Sequence, residues 1–121
     1  MEFYESTAGE ENVSVKISAC LMGEELAVFI YNKNAHLGAV AVSEYDSNNN
    51  RASTSLITRL GHKDDAVAQK AAYLLCNHTK KAVCVIAGIH IDNITAAEIA
   101  QLVENSNKLV EEFISKGCKI P

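Results

Sequence analysis

Three short segments of the chain place a glycine within two residues of a histidine, and each lies at a predicted strand edge or strand-to-helix junction. Glycine allows a ligand to approach the backbone closely, and histidine can donate, accept or carry a proton or bind a metal near neutral pH. The residues that could do chemistry there are His36, Gly38, Gly61, His62, Lys63, Gly88, His90, Asp92 and Asn93. These types suit a cofactor-binding pocket, a proton-transfer couple or a metal site.

The segment Gly61, His62 and Lys63 opens the first predicted helix. The free N–H groups and the dipole at a helix N-terminus attract anions, and Lys63 adds a positive charge, so the segment could bind a phosphate. The alternative is simple capping, because Asp64 and Asp65 are ordinary first-turn acids that already complement the helix dipole.

His90 and Asp92 share one face of a strand, because side chains alternate with a period of two. The pair could bind a metal, position a polar ligand or transfer a proton. The alternative is that His90 is a satisfied buried histidine and Asp92 caps the second helix. With His36 and His62 they are metal-ligand types, but the spacing matches no zinc pattern. No nucleophile elbow, dinucleotide fingerprint or P-loop is present, so we assign no catalytic residue and no metal ligand.

Hydrophobic periodicity predicts the elements that must position these residues. It indicates strands over residues 13–21, 26–31, 36–45, 53–60 and 81–91, and helices over residues 63–77 and 95–116. The short turns favour antiparallel hairpins, and the apolar run at 82–86 is typical of a central strand covered on both faces. Thr95 and Glu98 form a capping box, and Gly117 is a helix stop.

We therefore predict an α+β fold in the order ββββαβα, with a mainly antiparallel sheet of about five strands and two helices packed against it. Two helices leave part of such a sheet uncovered, which favours a homodimer. Residues 1–121 form one predicted domain, with a partly mobile N-terminal segment at 1–12 and a polar loop at 46–51.

Composition narrows the function classes. The net charge is −4 and no basic cluster is longer than Lys80-Lys81, which disfavours nucleic-acid binding. No segment approaches the ~20 apolar residues of a membrane span. The acidic first residues do not resemble a signal peptide, so we expect a cytoplasmic protein. The four cysteines show no C-x-x-C spacing and are expected to be separate thiols.

The three glycine-histidine segments also carry a family resemblance. The sequences His36-Leu37-Gly38-Ala39-Val40-Ala41, Leu60-Gly61-His62-Lys63-Asp64 and Ala87-Gly88-Ile89-His90-Ile91-Asp92-Asn93, in this order and spacing, resemble the prenylated flavin chaperone family, typified by the small D subunit of gallate decarboxylase. The similarity runs from about Val13 to Ile114. It implies a non-catalytic protein that binds flavin mononucleotide (FMN) or prenylated FMN and helps deliver or mature it in a prenylated-flavin-dependent decarboxylase.

A flavin would need three features that the residues can supply. The expected phosphate cradle consists of Gly61, His62 and Lys63. The expected slot for the ring is formed by Gly38 and Gly88 with nearby Val and Ile residues. The polar groups expected at the ring edge and ribitol are His36, His90, Asp92 and Asn93. Two alternatives stay open: a protein-only assembly chaperone, and a small metal-dependent enzyme that uses His36, His62, His90 and Asp92.

Overall fold

The computed structural model describes residues 1–59 and 64–121. A short 3-10 turn, Glu11–Val13, follows the first strand. The strands are β1 (Tyr4–Ala8), β2 (Val15–Met22), β3 (Glu25–Tyr31), β4 (Ala39–Asp46), β5 (Arg51–Thr58) and β6 (Val83–Gly88), and the helices are α1 (Asp65–Thr79) and α2 (Ala96–Ser115).

The strands form one six-stranded sheet in the order β1-β2-β3-β6-β4-β5. All neighbours are antiparallel except β3 and β6, which are parallel. The predicted α+β class is confirmed, but the sheet has six strands and is mixed. The extra strand is β1, which has little apolar signal and forms by pairing with β2. The expected hairpin between β3 and β4 is absent from the described sheet, because β6 inserts between them.

Both helices pack on one face of the sheet. Helix α1 contacts β4, β5 and β6, and α2 contacts β1 and β2. Because side chains alternate along a strand, every second residue points into this layer. The fully buried core includes Val15, Ile17, Val28, Ile30, Ala41, Leu75, Val83, Val85, Leu109 and Phe113.

The opposite face of the sheet, called the open face below, is not covered by either described helix. Its side chains include Ala27, Phe29, Val40, Val42, Ile57, Cys84 and Ile86, as the strand registers place them. The prediction that the strand now called β6 is covered on both faces is therefore wrong, since Cys84 and Ile86 are only half-buried. Its apolar run reflects one face packed on helices and a second apolar face that the chain itself leaves exposed.

Local signals around α2 behaved as expected. The strand predicted over residues 81–91, by contrast, ends at Gly88, so His90 and Asp92 lie in the turn beyond it and not on a strand face. The Thr95 hydroxyl accepts the Glu98 N–H at 3.1 Å, and the Glu98 carboxylate accepts the Thr95 N–H at 3.0 Å, which confirms the capping box. Gly117 follows the helix with a φ of +76°, a left-handed conformation that favours glycine. The helix therefore begins and ends where the sequence indicates.

Candidate functional site

The segments that hold His36 and His90 meet at the end of β6. The Gly38 N–H donates to the Ala87 carbonyl oxygen at 3.0 Å, which continues the pairing of β4 with β6. This contact brings residues 36–38 beside residues 88–92. The structure thus gathers two of the three predicted segments within one chain.

The third segment reaches the same place through Asp64. This residue is 6 % exposed, and its Oδ1 accepts the Ile89 N–H at 3.2 Å. It occupies the N-cap position of α1 but makes no side-chain capping bond there. Asp64 therefore does more than the capping alternative assumed, because its carboxylate also ties α1 to the end of β6.

Gly38 and Gly88 allow parts of the chain itself to approach closely. A Cβ on Gly38 would collide with the Asp64 carboxylate, and a Cβ on Gly88 would collide with the His36 carbonyl oxygen. From the sequence, this freedom was expected to serve contact with a ligand. In the structure it is used first to pack the three segments against one another, which makes both glycines necessary for building the site.

Asn32, which follows β3, fixes the backbone of His90. Its Nδ2 donates to the His90 carbonyl oxygen at 2.8 Å, and its Oδ1 accepts the His90 N–H at 3.1 Å. The side chain is buried, so the pair of bonds replaces the strand pairing that ends at Gly88. In the sequence Asn32 belongs to a predicted turn, and no local signal distinguishes it from other turn asparagines.

The rings of His36 and His90 lie side by side. Their centroids are 4.8 Å apart and the ring planes are tilted by 45°. His90 Nε2 donates to Asp92 Oδ1 at 2.9 Å, and the Asp92 side chain is 90 % exposed. Water therefore screens this His–Asp pair. The pair can orient the His90 ring, but it lacks the buried carboxylate that usually supports a catalytic base.

Asn93 has a structural place in the same turn. Its φ is +55°, a left-handed conformation that asparagine tolerates better than most residues. The side chains of Asp92 and Asn93 are both exposed. The predicted phosphate-binding residues Gly61, His62 and Lys63 lie outside the described residues, so that assignment stays a prediction.

A cavity of about 580 Å³, called the helix-side cavity below, lies between the end of β6 and the two helices. Its polar wall is formed by His36, His90 and Asp64. The remaining wall is aliphatic and consists of Val67, Ile89, Ile91, Ile94, Ile99, Leu102 and Val103. Small-molecule sites typically combine such a mainly apolar lining with a few convergent polar groups.

A second depression of about 550 Å³, the sheet-side groove, lies on the open face. His36 borders it as well, so this histidine stands between the two spaces. Three of the chain's seven Phe and Tyr residues line the groove. Its main lining residues are Phe3, Phe29, Tyr31, His36, Leu37 and Ile86.

Three of the chain's four cysteine thiols have raised pKa values. Burial raises the pKa of Cys76 and Cys84, and it raises the pKa of Cys118 to about 11, so these thiols stay protonated near neutral pH. Within residues 1–59 and 64–121, no group of three or more His, Cys, Asp or Glu side chains is placed to hold a metal ion.

The clearest electrostatic cluster joins β1 to α2, away from the site. The hydroxyls of Ser6 and Tyr4 donate to Glu112 Oε1 at 2.9 and 3.1 Å, and Lys116 Nζ lies 3.4 Å from the same oxygen. These hydrogen bonds, that from Ser6 first, lower the pKa of Glu112. Burial, with the Glu112 carboxylate, raises the pKa of Tyr4. The cluster holds the edge strand in place.

The fold and site define a small α+β protein with an apolar cavity, histidines at its mouth and no assembled catalytic group among the described residues. A scan of family models matches residues 9–117 to the prenylated flavin chaperone LpdD-like domain. The chain belongs to this family, which makes it a non-enzymatic accessory protein and sets aside the metal-dependent enzyme. The family name associates it with prenylated flavin.

Comparison with solved structures supports the fold. The chain resembles a protein from a structure titled "Crystal Structure of a Novel Chaperone Complex for Yeast 20S Proteasome Assembly", with a TM-score of 0.63 and 14 % sequence identity over 94 % of this chain and 92 % of that one. No curated protein matches the chain significantly in sequence. No helix in the described part of the chain has the length and apolar character to cross a membrane.

Proposed function

We propose that the chain binds FMN or prenylated FMN in the helix-side cavity and carries or matures it for a prenylated-flavin-dependent decarboxylase. The observation that carries this proposal is the cavity of about 580 Å³ with His36, His90 and Asp64 on one wall and aliphatic side chains on the other. Its volume lies in the range of about 300–1,000 Å³ that small-molecule sites occupy. Membership of the prenylated flavin chaperone family supplies the class of cargo.

The two walls suit the two parts of a flavin. The aliphatic wall, with Ile94 and Ile99, would receive the apolar edge of the ring system and the added prenyl-derived ring. His36 and His90 would hydrogen-bond the carbonyl and nitrogen edge of the ring. Asp92 and Asn93 at the exposed rim would face the ribitol, and the phosphate would bind at Gly61, His62 and Lys63.

An open mouth is what a carrier requires. The side chain of His90 is 41 % exposed and that of Asp92 is 90 % exposed, so part of the polar wall stays hydrated. Hydrated contacts contribute less to affinity than desolvated ones. We therefore propose binding of moderate affinity, which lets the decarboxylase take the cofactor. We also propose that the carrier works in the cytoplasm as a homodimer.

Titration under anaerobic conditions tests the flavin site. FMN and prenylated FMN are added to the wild-type chain and to His36→Ala and His90→Ala variants, and the dissociation constants are measured by flavin fluorescence. We expect each variant to bind the flavin about 10-fold more weakly, because one hydrogen bond to the flavin is lost. His78→Ala is the matched control, because His78 is an exposed histidine in the last turn of α1. A wild-type chain that retains neither flavin would overturn the proposal.

A second candidate, a protein-only assembly chaperone, is favoured by the open face. Apolar side chains lie exposed there, among them Ile57 at 74 % and Val42 at 44 %, and large apolar patches often mark protein contacts. The structural resemblance to a proteasome assembly chaperone complex is compatible with this role. Affinity capture from native extract separates the two candidates. A partner that binds the His36→Ala/His90→Ala double variant as tightly as the wild type, with no small molecule present, would favour the second.

A further inference from the structure

The open face carries two continuous apolar rows across the middle of the sheet. In the first row Ile57 pairs with Val40, Val40 with Ile86, and Ile86 with Phe29. The second row contains Val42, Cys84 and Ala27. Neighbouring strands lie about 4.8 Å apart, so these side chains form one surface without polar interruption. Single exposed apolar residues are common on protein surfaces, but a continuous apolar surface such as this one is not.

The composition of β6 indicates that a second layer belongs on this surface. Val83, Val85 and Ala87 face the helices, and Cys84 and Ile86 face the open side. A central strand that is apolar on both sides is typical of a sheet covered on both faces. Among residues 1–59 and 64–121 both helices lie on the helix side, and on the open side Ala27, Cys84 and Ile86 are only half-buried. Flat apolar sheet faces are covered efficiently by another sheet at a distance of about 10 Å.

We infer that a second copy of this chain covers the open face, sheet against sheet, with the two-fold axis between the sheets and running across the strands. The inference rests on the homodimer proposed above and specifies its surface and orientation. Six strands and about 24 Å of strand length present a rectangle of roughly 650 Å². This rectangle is of the same order as the about 800 Å² per partner that a standard stable interface buries.

The charges at the two ends of the open face select the second copy and its orientation. On the open face, Lys16, Arg59 and Glu5 lie at the end near the site, as the registers and the hydrogen bond from the Arg59 N–H to the Gly38 carbonyl oxygen show. Glu25, Glu44, Asp46 and Arg51 lie at the opposite end. The first end is therefore net positive and the opposite end net negative. A two-fold axis along the strands would bring like ends together and place Glu44 near the partner's Glu25. An axis across the strands lays each strand over its own copy with the ends exchanged. Lys16 of β2 then lies near the partner's Glu25 on the neighbouring β3, and Arg59 of β5 lies at the end of the partner's β5 that holds Arg51, beside Glu44 on the neighbouring β4. The face is therefore complementary to itself in one orientation.

This arrangement also completes the sheet-side groove. The groove lies on the open face beside His36, and its lining includes Phe3, Glu5, Phe29 and Tyr31. In the dimer, the carboxylate-bearing end of the partner sheet forms its roof. The space is thus a shallow depression in one copy and an enclosed, shared cavity in two.

Sedimentation analysis without any flavin tests the interface. Val42→Asp and Ile57→Asp each place a charge in the apolar rows, and we expect the dimer dissociation constant to rise at least about 30-fold. Tyr73→Asp is the matched control, because Tyr73 is 45 % exposed but lies on α1. It should change the constant by less than about 2-fold. Circular dichroism of each variant is the check that it remains folded. A wild-type chain that is monomeric throughout, or a Val42→Asp dimer of unchanged affinity, would overturn the inference.

Charge reversal tests the orientation. Lys16→Glu and Glu25→Lys should each weaken the dimer about 5-fold, and the double variant should recover wild-type affinity, because the pair is restored with its signs exchanged. Lys108→Glu, on the outside of α2, should have no effect. No recovery in the double variant, with Val42→Asp still disruptive, would contradict the axis across the strands. These measurements contain no flavin, so they test the dimer interface even if the chain fails to bind flavin.

Discussion

Replacement of Asn32 by Ala should loosen the backbone at His90. Asn32 is 8 % exposed, and its amide makes both a donated and an accepted hydrogen bond to the His90 main chain, at 2.8 and 3.1 Å. Each such bond contributes about 1 kcal/mol net, so the loss of both should lower the free energy of unfolding by about 2 kcal/mol. For a domain of this size, that loss corresponds to a decrease in Tm of roughly 7 °C.

Urea unfolding followed by circular dichroism measures this loss. Asn34→Ala is the matched control, because Asn34 belongs to the same connection but is exposed. We expect the control to stay within about 0.5 kcal/mol of the wild type. Flavin affinity should also fall in Asn32→Ala, since the His90 ring is no longer held beside the cavity. If Asn32→Ala unfolded at the same urea concentration as Asn34→Ala, the two-bond clamp would have no energetic role and the reasoning would be refuted.

Three further predictions concern single contacts. Gly38→Ala should lower the free energy of unfolding by about 2 kcal/mol or more, because the new Cβ meets the Asp64 carboxylate. In an Asp64→Ala background the same substitution should lower it by clearly less. Equal losses in the two backgrounds would show that the two residues do not interact. Thr95→Ala removes half of the capping box and should cost about 1 kcal/mol in thermal or urea unfolding; no change would mean that the cap is dispensable. Hydrogen bonds from the hydroxyls of β1 and the ammonium of α2 hold the pKa of Glu112 below its ordinary value of 4.5, so this carboxylate stabilises the fold above that value and the contribution is lost as the pH falls through the lowered pKa. The stability difference between the wild type and Glu112→Gln should therefore shrink as unfolding is measured at decreasing pH below about 4.5, and a difference that grew instead would reverse the sign of the argument.

The missed features of the fold share one cause. Strand β1 was assigned to the N-terminal segment, because Tyr4–Ala8 offers few apolar residues and gains its structure by pairing with β2. The insertion of β6 between β3 and β4 was missed for the same reason, since the local sequence of Val83–Gly88 does not specify which strands it pairs with. Pairing between distant segments depends on which surfaces meet, and periodicity reports only one segment at a time.

In the candidate site, too, local patterns were predicted and contacts between distant residues were missed. His36 and His90 were found from their types and their spacing to glycine, and the structure places their rings 4.8 Å apart. Asn32 and Asp64 were missed as builders of the site. Asn32 acts on a residue 58 positions away and Asp64 on one 25 positions away. In the sequence they are an ordinary turn residue and an ordinary first-turn acid.

By itself the sequence determined the family and the strands and helices other than β1, because apolar spacing, capping residues and the three glycine-histidine segments are local patterns. It placed α2 to within one residue at each end, from Ala96 to Ser115. Only the tertiary structure decided that Asp64 and Asn32 hold those segments together, that one cavity lies on each side of His36, and that one face of the sheet is left open. These features depend on burial and on contacts between residues far apart in the chain, which exist only after the strands have paired.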